Sequence, residues 1–262
     1  MTSKRFSLRP RRGVFLTVRP QGKPSPLLED IDLIYRTLCA ILYNFVPQSG
    51  HPGGSVSSGG IASTLLFETM DYELADPDRP DADQLVYAAG HKALGLYSMW
   101  ALRNELARLG RARLLPAPRR QLRLEDLLGF RRNPTQNTTL FREAGARALD
   151  GHPTPATPFV TVATGASGVG LGTALGLALG ATDAYARPPR IHILEGEGGL
   201  TPGRAHEALS AAATMGLENA ILHVDWNQAS IDSDQVTGEG DKPGDYVPWD
   251  PKALLQLHDW NV

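Results

Sequence analysis

A single cysteine, Cys39, stands in the 262 residues, so no intrachain disulfide framework exists. That usage suits a reducing cytosol, and a cytoplasmic location is expected. No run of 18 apolar residues occurs, which excludes a membrane-spanning helix. Net charge is nearly absent too, at -2, and gives no reason to expect nucleic acid or a membrane surface as partner. The 27 glycines follow no strict period, which excludes a collagen-like chain, and 42% hydrophobic residues exclude disorder. What remains is a soluble globular chain with enough apolar side chains for a sizeable core.

Two local absences organise the chain. Residues 1–24 contain no acid but seven bases (Lys4, Arg5, Arg9, Arg11, Arg12, Arg19 and Lys23), leaving a net charge of -9 on the rest. Pro10, Pro20 and Pro24 interrupt any amphipathic targeting helix there, so 1–25 reads as a basic arm. Residues 103–133 contain no lysine but nine arginines, and read as a solvated insertion.

Periodicity supplies the elements. Leu28, Ile31, Ile34, Leu38, Ile41 and Leu42 recur at helical spacing between Pro26 and Val46, predicting a buried helix. Glycines at 50, 53, 54 and 59 break it, and a second helix runs from Ile61 to Met70. Residues 75–83 read as a polar turn, Leu85–Ala88 as a strand, Ala93–Leu109 as a helix, and 134–158 as loop. Strands are expected at Val160–Thr164, Ile191–Leu194 and Ala220–Asp225, with helices to Ala181 and over Gly203–Met215 between them. Asp259–Val262 reads as the start of a last strand. Apolar strands alternating with helices predict an α/β fold, a parallel sheet sandwiched by helices in one domain over 26–262, apparently cut short at its C-terminus.

Three constellations carry chemistry. Gly196-Glu197-Gly198 follows one strand and Asn227 follows the next, so a carboxylate and an amide oxygen reach one rim of the sheet, where ligands of open parallel sheets collect. Oxygen donors of this kind suit Mg²⁺, although a turn with a capping carboxylate explains the spacing equally well. The small-residue turn Thr164–Gly172 opens a helix after a strand but lacks the full dinucleotide fingerprint. His51, His91 and His152 each sit in a Gly-His turn, at spacings that fit no zinc cage. Hydrogen bonding and proton transfer are the chemistry open to them.

Taken in order, Ser49-Gly50-His51-Pro52-Gly53, Gly90-His91, Gly151-His152-Pro153, the turn at 164–170, Gly196–Gly198 and Asn227–Asp232 resemble the N-terminal, diphosphate-binding domain of transketolases over about residues 28–262. The resemblance implies thiamine diphosphate and Mg²⁺ (or Ca²⁺) as cofactors, with Glu197, Asn227 and the Ala229 carbonyl on the metal. His91, Gly165, Ala166, Ser167, Gly198 and Asn227 would touch the cofactor. His51 and His152 would face a sugar-phosphate substrate, and Glu207 would belong to a network between two active sites. It further implies transfer of a two-carbon ketol unit, an oligomer such as a dimer, and a second domain or subunit carrying the pyrimidine-binding half. Glu197 stands where that family has Asp, and Pro202 where it usually has Glu. Two other readings stay open. Val236–Gly240 has some similarity to the first component of 2-oxoacid dehydrogenases, and a non-catalytic subunit could retain the fold.

Overall fold

The computed structural model describes residues 25–46, 51–131, 138–230, 233, 235–238, 242 and 244–262. The basic arm up to residue 24 and residues 49, 50, 231 and 232 of the quoted motifs lie outside them, as do 239 and 240.

Helix α1 spans Pro26–Phe45, with proline in its first turn, where a missing N–H costs nothing. Ile31, Tyr35, Cys39 and Leu42 form its buried stripe. The tract expected to break the chain after α1 is helical: α2 spans Pro52–Ser57 and α3 Gly59–Thr64, followed by a π turn over Leu65–Thr69. Its glycines permit close approach instead of ending the helix. A Cβ on Gly59 would overlap the Tyr35 ring, and one on Gly54 would stand 2.8 Å from the Lys92 side chain.

Strand β1 (Gln84–Tyr87), helix α4 (Ala93–Gly110), helix α5 (Thr139–Ala144) and helix α6 (Val169–Ala184) follow. Then come β2 (Ile191–Gly196), α7 (Gly203–Met215), β3 (Ala220–Asp225) and α8 (Pro251–Leu257). The strands pair in parallel in the order β1-β2-β3, with Gln84 beside Ile191 and Ile191 beside Ala220. Side chains alternate across the sheet. Leu85, Tyr87 and Leu194 join a core with α1 and α4, whereas Val86, Ile191 and Ile193 join a second core with α6 and α7. The parallel sheet between helices is therefore as expected.

Four local expectations are corrected. Val160–Thr164 is no strand: the Thr164 N–H bonds the Pro153 carbonyl and its hydroxyl bonds the Tyr87 carbonyl, so loop contacts replace a ladder. Asp259–Val262 is no strand either, because Asp259 has φ 61° and the Trp260 indole donates to the Leu209 carbonyl. The loop expected at 134–158 contains α5. The arginine-rich segment, over its described residues, is solvated only in part: Arg111, Arg113 and Arg119 are exposed, but its C-terminal portion is packed. Leu122, Leu127 and Phe130 are in the core, and buried Asp126 pairs with Arg123 and Arg147.

Candidate active site

The carboxyl ends of all three strands open onto one cavity of about 610 Å³. His51 precedes α2, His91 lies in the turn after β1, and His152 precedes the loop that carries Gly165, Ala166 and Ser167; all six residues line it. Glu197 and Gly198, after β2, and Asn227 and Ala229, after β3, line it as well. Three histidines 40 and 61 positions apart in sequence thus meet at one rim, His91 delivered by β1, and His51 and His152 by the turn before α2 and the loop before α6. Glu207 is elsewhere. It lies on α7, in a shallow concavity with His206 and Ser210.

Close backbone approach shapes the cavity. A Cβ on Gly90 would stand 2.7 Å from the Gly165 nitrogen, so only glycine lets these two turns touch. Around Gly198 nothing stands within 4 Å of that position, which leaves its backbone open to a ligand.

Four ionisable groups that sequence reasoning passed over or underused lie beneath the cavity. Lys92 is 1% exposed, and its Nζ donates to Asp225 Oδ2 at 2.5 Å. Ser57 donates to the same oxygen at 2.5 Å. Asn227 Nδ2 donates to Ser57 Oγ at 2.9 Å and to Asp225 Oδ2 at 3.2 Å, while Asn227 Oδ1 accepts the Ala229 N–H at 3.0 Å. Glu197 is buried, and its Oε2 accepts the Asn227 N–H at 3.4 Å, but its Oε1 has no partner among the described residues. Glu195 accepts the Gly196 N–H at 2.9 Å, and its Oε2 has no partner there. Burial pushes the Glu195 carboxyl up to about 7 against the pull of that bond and of Lys92. A sequence signal for Glu195 and Asp225 was available, since each charge ends an apolar strand run; Lys92, in the turn after β1, gave none.

The histidines are tuned as well. His51 and His91 meet edge to face at 5.1 Å. Burial first, then the Lys92 charge, pushes His91 down to about 4, so its ring is neutral near pH 7. Burial, with Arg131 next, lowers His152. Tyr43 and Tyr97 donate to the carbonyls of His51 and His152 and fix both turns.

The donor set fits a hard divalent cation beside a diphosphate. A buried carboxylate oxygen without a partner and an oriented amide oxygen are the ligands such a cation takes, with phosphate and water completing its shell. The small-residue turns leave room for phosphate oxygens at backbone N–H groups.

Fold and site together define an α/β module that binds a diphosphate-bearing ligand at the ends of its strands. The chain belongs to the transketolase family: residues 38–106 and 120–243 match the family described as transketolase, thiamine diphosphate binding domain. It is 34% identical over 181 residues to transketolase-like protein 2 of Mus musculus, covering 69% of this chain and 24% of that protein. Identity to the transketolase of Homo sapiens is 33% over 180 residues, with the same coverage. The transketolase structure from Campylobacter jejuni superposes with a TM-score of 0.69 at 26% identity, over 90% of this chain and 33% of that one. That from Leishmania mexicana superposes with 0.61 at 30% identity, over 82% and 29%. The chain therefore spans about a quarter to a third of the length of these relatives.

Proposed function

We propose that this chain is the diphosphate-binding part of a transketolase-type transferase that uses thiamine diphosphate and a divalent cation, Mg²⁺ (or Ca²⁺). The observation that carries the reading is the pairing of Glu197 Oε1, buried without a partner among the described residues, with the anchored amide of Asn227 in a glycine-lined cavity.

In this reading Glu197, Asn227 Oδ1 and the Ala229 carbonyl hold the cation. The backbone at Gly165, Ala166, Ser167 and Gly198 cradles the diphosphate, and neutral His91 hydrogen-bonds without adding charge. When bound, the cofactor supplies the electron sink for breaking and forming a carbon–carbon bond. The protein's part is to bind, orient and exclude water. His51 and His152, at the cavity wall, meet the hydroxyls of a sugar phosphate, hold them in register and move protons at those oxygens. Glu197 carries one more methylene than the aspartate that the resemblance leads one to expect. Glu207, outside the cavity, serves the contact between two active sites in an oligomer. A second domain or subunit supplies the pyrimidine-binding half, and the assembly is cytoplasmic and at least dimeric.

The test is calorimetry of thiamine diphosphate with Mg²⁺ on the full chain, alone and with a separately expressed pyrimidine-binding domain of a transketolase. The expected result is cation-dependent binding that Glu197→Ala abolishes or weakens at least tenfold, and ketol transfer only with the added domain. Parent-like binding by Glu197→Ala would overturn the cation assignment, and turnover by the chain alone would overturn the divided-enzyme reading.

A further inference from the structure

Lys92 is a full-length cation threaded through the interior, and the reading above gives it no task. Its stem passes the position that a Cβ on Gly54 would fill, 2.8 Å from its Cε, and its Nζ lies 3.5 Å from the equivalent position on Gly196. The lysine therefore runs between α2 and the end of β2 to reach Asp225 at the end of β3. Burying a charge this deeply is costly unless it is paired and hydrogen-bonded. Asp225 provides that pairing, and its Oδ2 gathers three donors: Lys92 Nζ, Ser57 Oγ and Asn227 Nδ2.

That convergence decides how Asn227 faces. An amide flipped end for end would press its Oδ1 against the carboxylate oxygen of Asp225, so the NH₂ is held to Asp225 and Ser57 and the oxygen is turned away. The oxygen is the atom a cation needs. We propose that Lys92, acting through Asp225 with Ser57 as second anchor, is a positioning residue that locks the Asn227 amide with its oxygen toward the cation. This rests on the cation site proposed above and adds to it a residue that touches neither cation nor cofactor. Partners that orient metal ligands typically change metal affinity about 10–100-fold when removed. Lys92 thus acts on affinity by holding the Asp225 carboxylate in place, and Ser57 acts by closing the second side of the NH₂.

The experiment counts bound Mn²⁺ on the full chain by electron paramagnetic resonance at a fixed excess of thiamine diphosphate, with thermal melting in parallel. Lys92→Met is expected to weaken Mn²⁺ binding about tenfold or more and to lower the melting temperature, since it strands Asp225. Ser57→Ala removes one anchor without stranding a charge, and is expected to weaken Mn²⁺ binding several-fold with little change in melting. A merely structural lysine would give lower melting in Lys92→Met and parent-like Mn²⁺ binding in both variants, which would overturn the proposal. Glu197→Ala separates the two levels. If it loses Mn²⁺ while Lys92→Met and Ser57→Ala keep it, only the positioning role falls. If the parent or Glu197→Ala shows that no specific cation site exists, the positioning role falls with it.

Discussion

Glu195 is the side chain whose charge state the fold sets most sharply. Its folded value near 7 lies above the unfolded carboxyl value of about 4.5. The native state therefore binds a proton that the unfolded state has lost, and the associated stability is present below about pH 4.5 and lost as pH rises through 7. Glu195→Gln keeps the shape and an acceptor for the Gly196 N–H but removes the ionisation. Its stability relative to the parent is expected to rise between pH 5 and pH 8, by about 2–3 kcal/mol, in paired urea titrations. An identical gap at both pH values would refute the assignment. His91 works in the opposite direction. Its folded value near 4 lies below the ordinary imidazole value of 6.5, so its contribution is lost as pH falls from about 6.5 toward 4. Carbon-detected NMR of the ring should show no titration step for His91 between pH 6 and pH 8.

Among the elements, α6 shows how little room the sheet end leaves. A Cβ on Gly170 would stand 2.5 Å from the Ala88 Cα, backbone against backbone, next to the cavity wall that Ala88 helps form. No rotamer change relieves such a contact, so Gly170→Ala is expected to destabilise by about 1–3 kcal/mol, an overpacking cost. Gly176→Ala is the control, because nothing stands within 4 Å of its Cβ position, and it should be neutral or slightly stabilising through helix propensity. Chemical denaturation of both variants checks the contrast. Helices α1, α4 and α7 and the three strands that form were legible in the sequence, although Ile34 and Ile41, two of the apolar positions that predicted a buried α1, are exposed. Val160–Thr164 has the composition of a strand, yet its Thr164 groups bond to Pro153 and Tyr87, a choice made by tertiary neighbours and not by propensity.

For the molecule as a whole, α1 stands out. Leu27, Ile34 and Ile41, seven residues apart, are 64%, 50% and 61% exposed, and Phe45 is 45% exposed near the end of the same stripe. A helix buried along Ile31, Tyr35, Cys39 and Leu42 thus carries a second apolar stripe in the open, the mark of an interaction surface. The isolated chain is expected to self-associate through it. Sedimentation velocity on Ile34→Glu/Ile41→Glu should show a fall in the associated fraction while the far-ultraviolet spectrum is unchanged. Association equal to the parent would place the contact elsewhere.

The sequence by itself determined the class of fold, because alternating apolar strands and helical stripes admit few arrangements other than a covered parallel sheet. It also singled out turns that line the cavity: Gly-His at 51, 91 and 152, and the residues around Gly196–Gly198 and Asn227, stood out by local composition. Strand order put the turns after β2 and β3 on one rim, as expected, but only the tertiary structure brought the loops of His51 and His152, which follow no strand, to the same cavity. It places Glu207 on α7 outside that cavity, in keeping with the separate role the resemblance gave it. It alone revealed Lys92, Asp225 and Ser57 as one network, since bonds across 133 and 168 residues leave no trace in local spacing. The division follows from range. Periodicity and turn chemistry act over a few residues, whereas the burial that shifts Glu195 and His91 exists only after strands distant in sequence have packed.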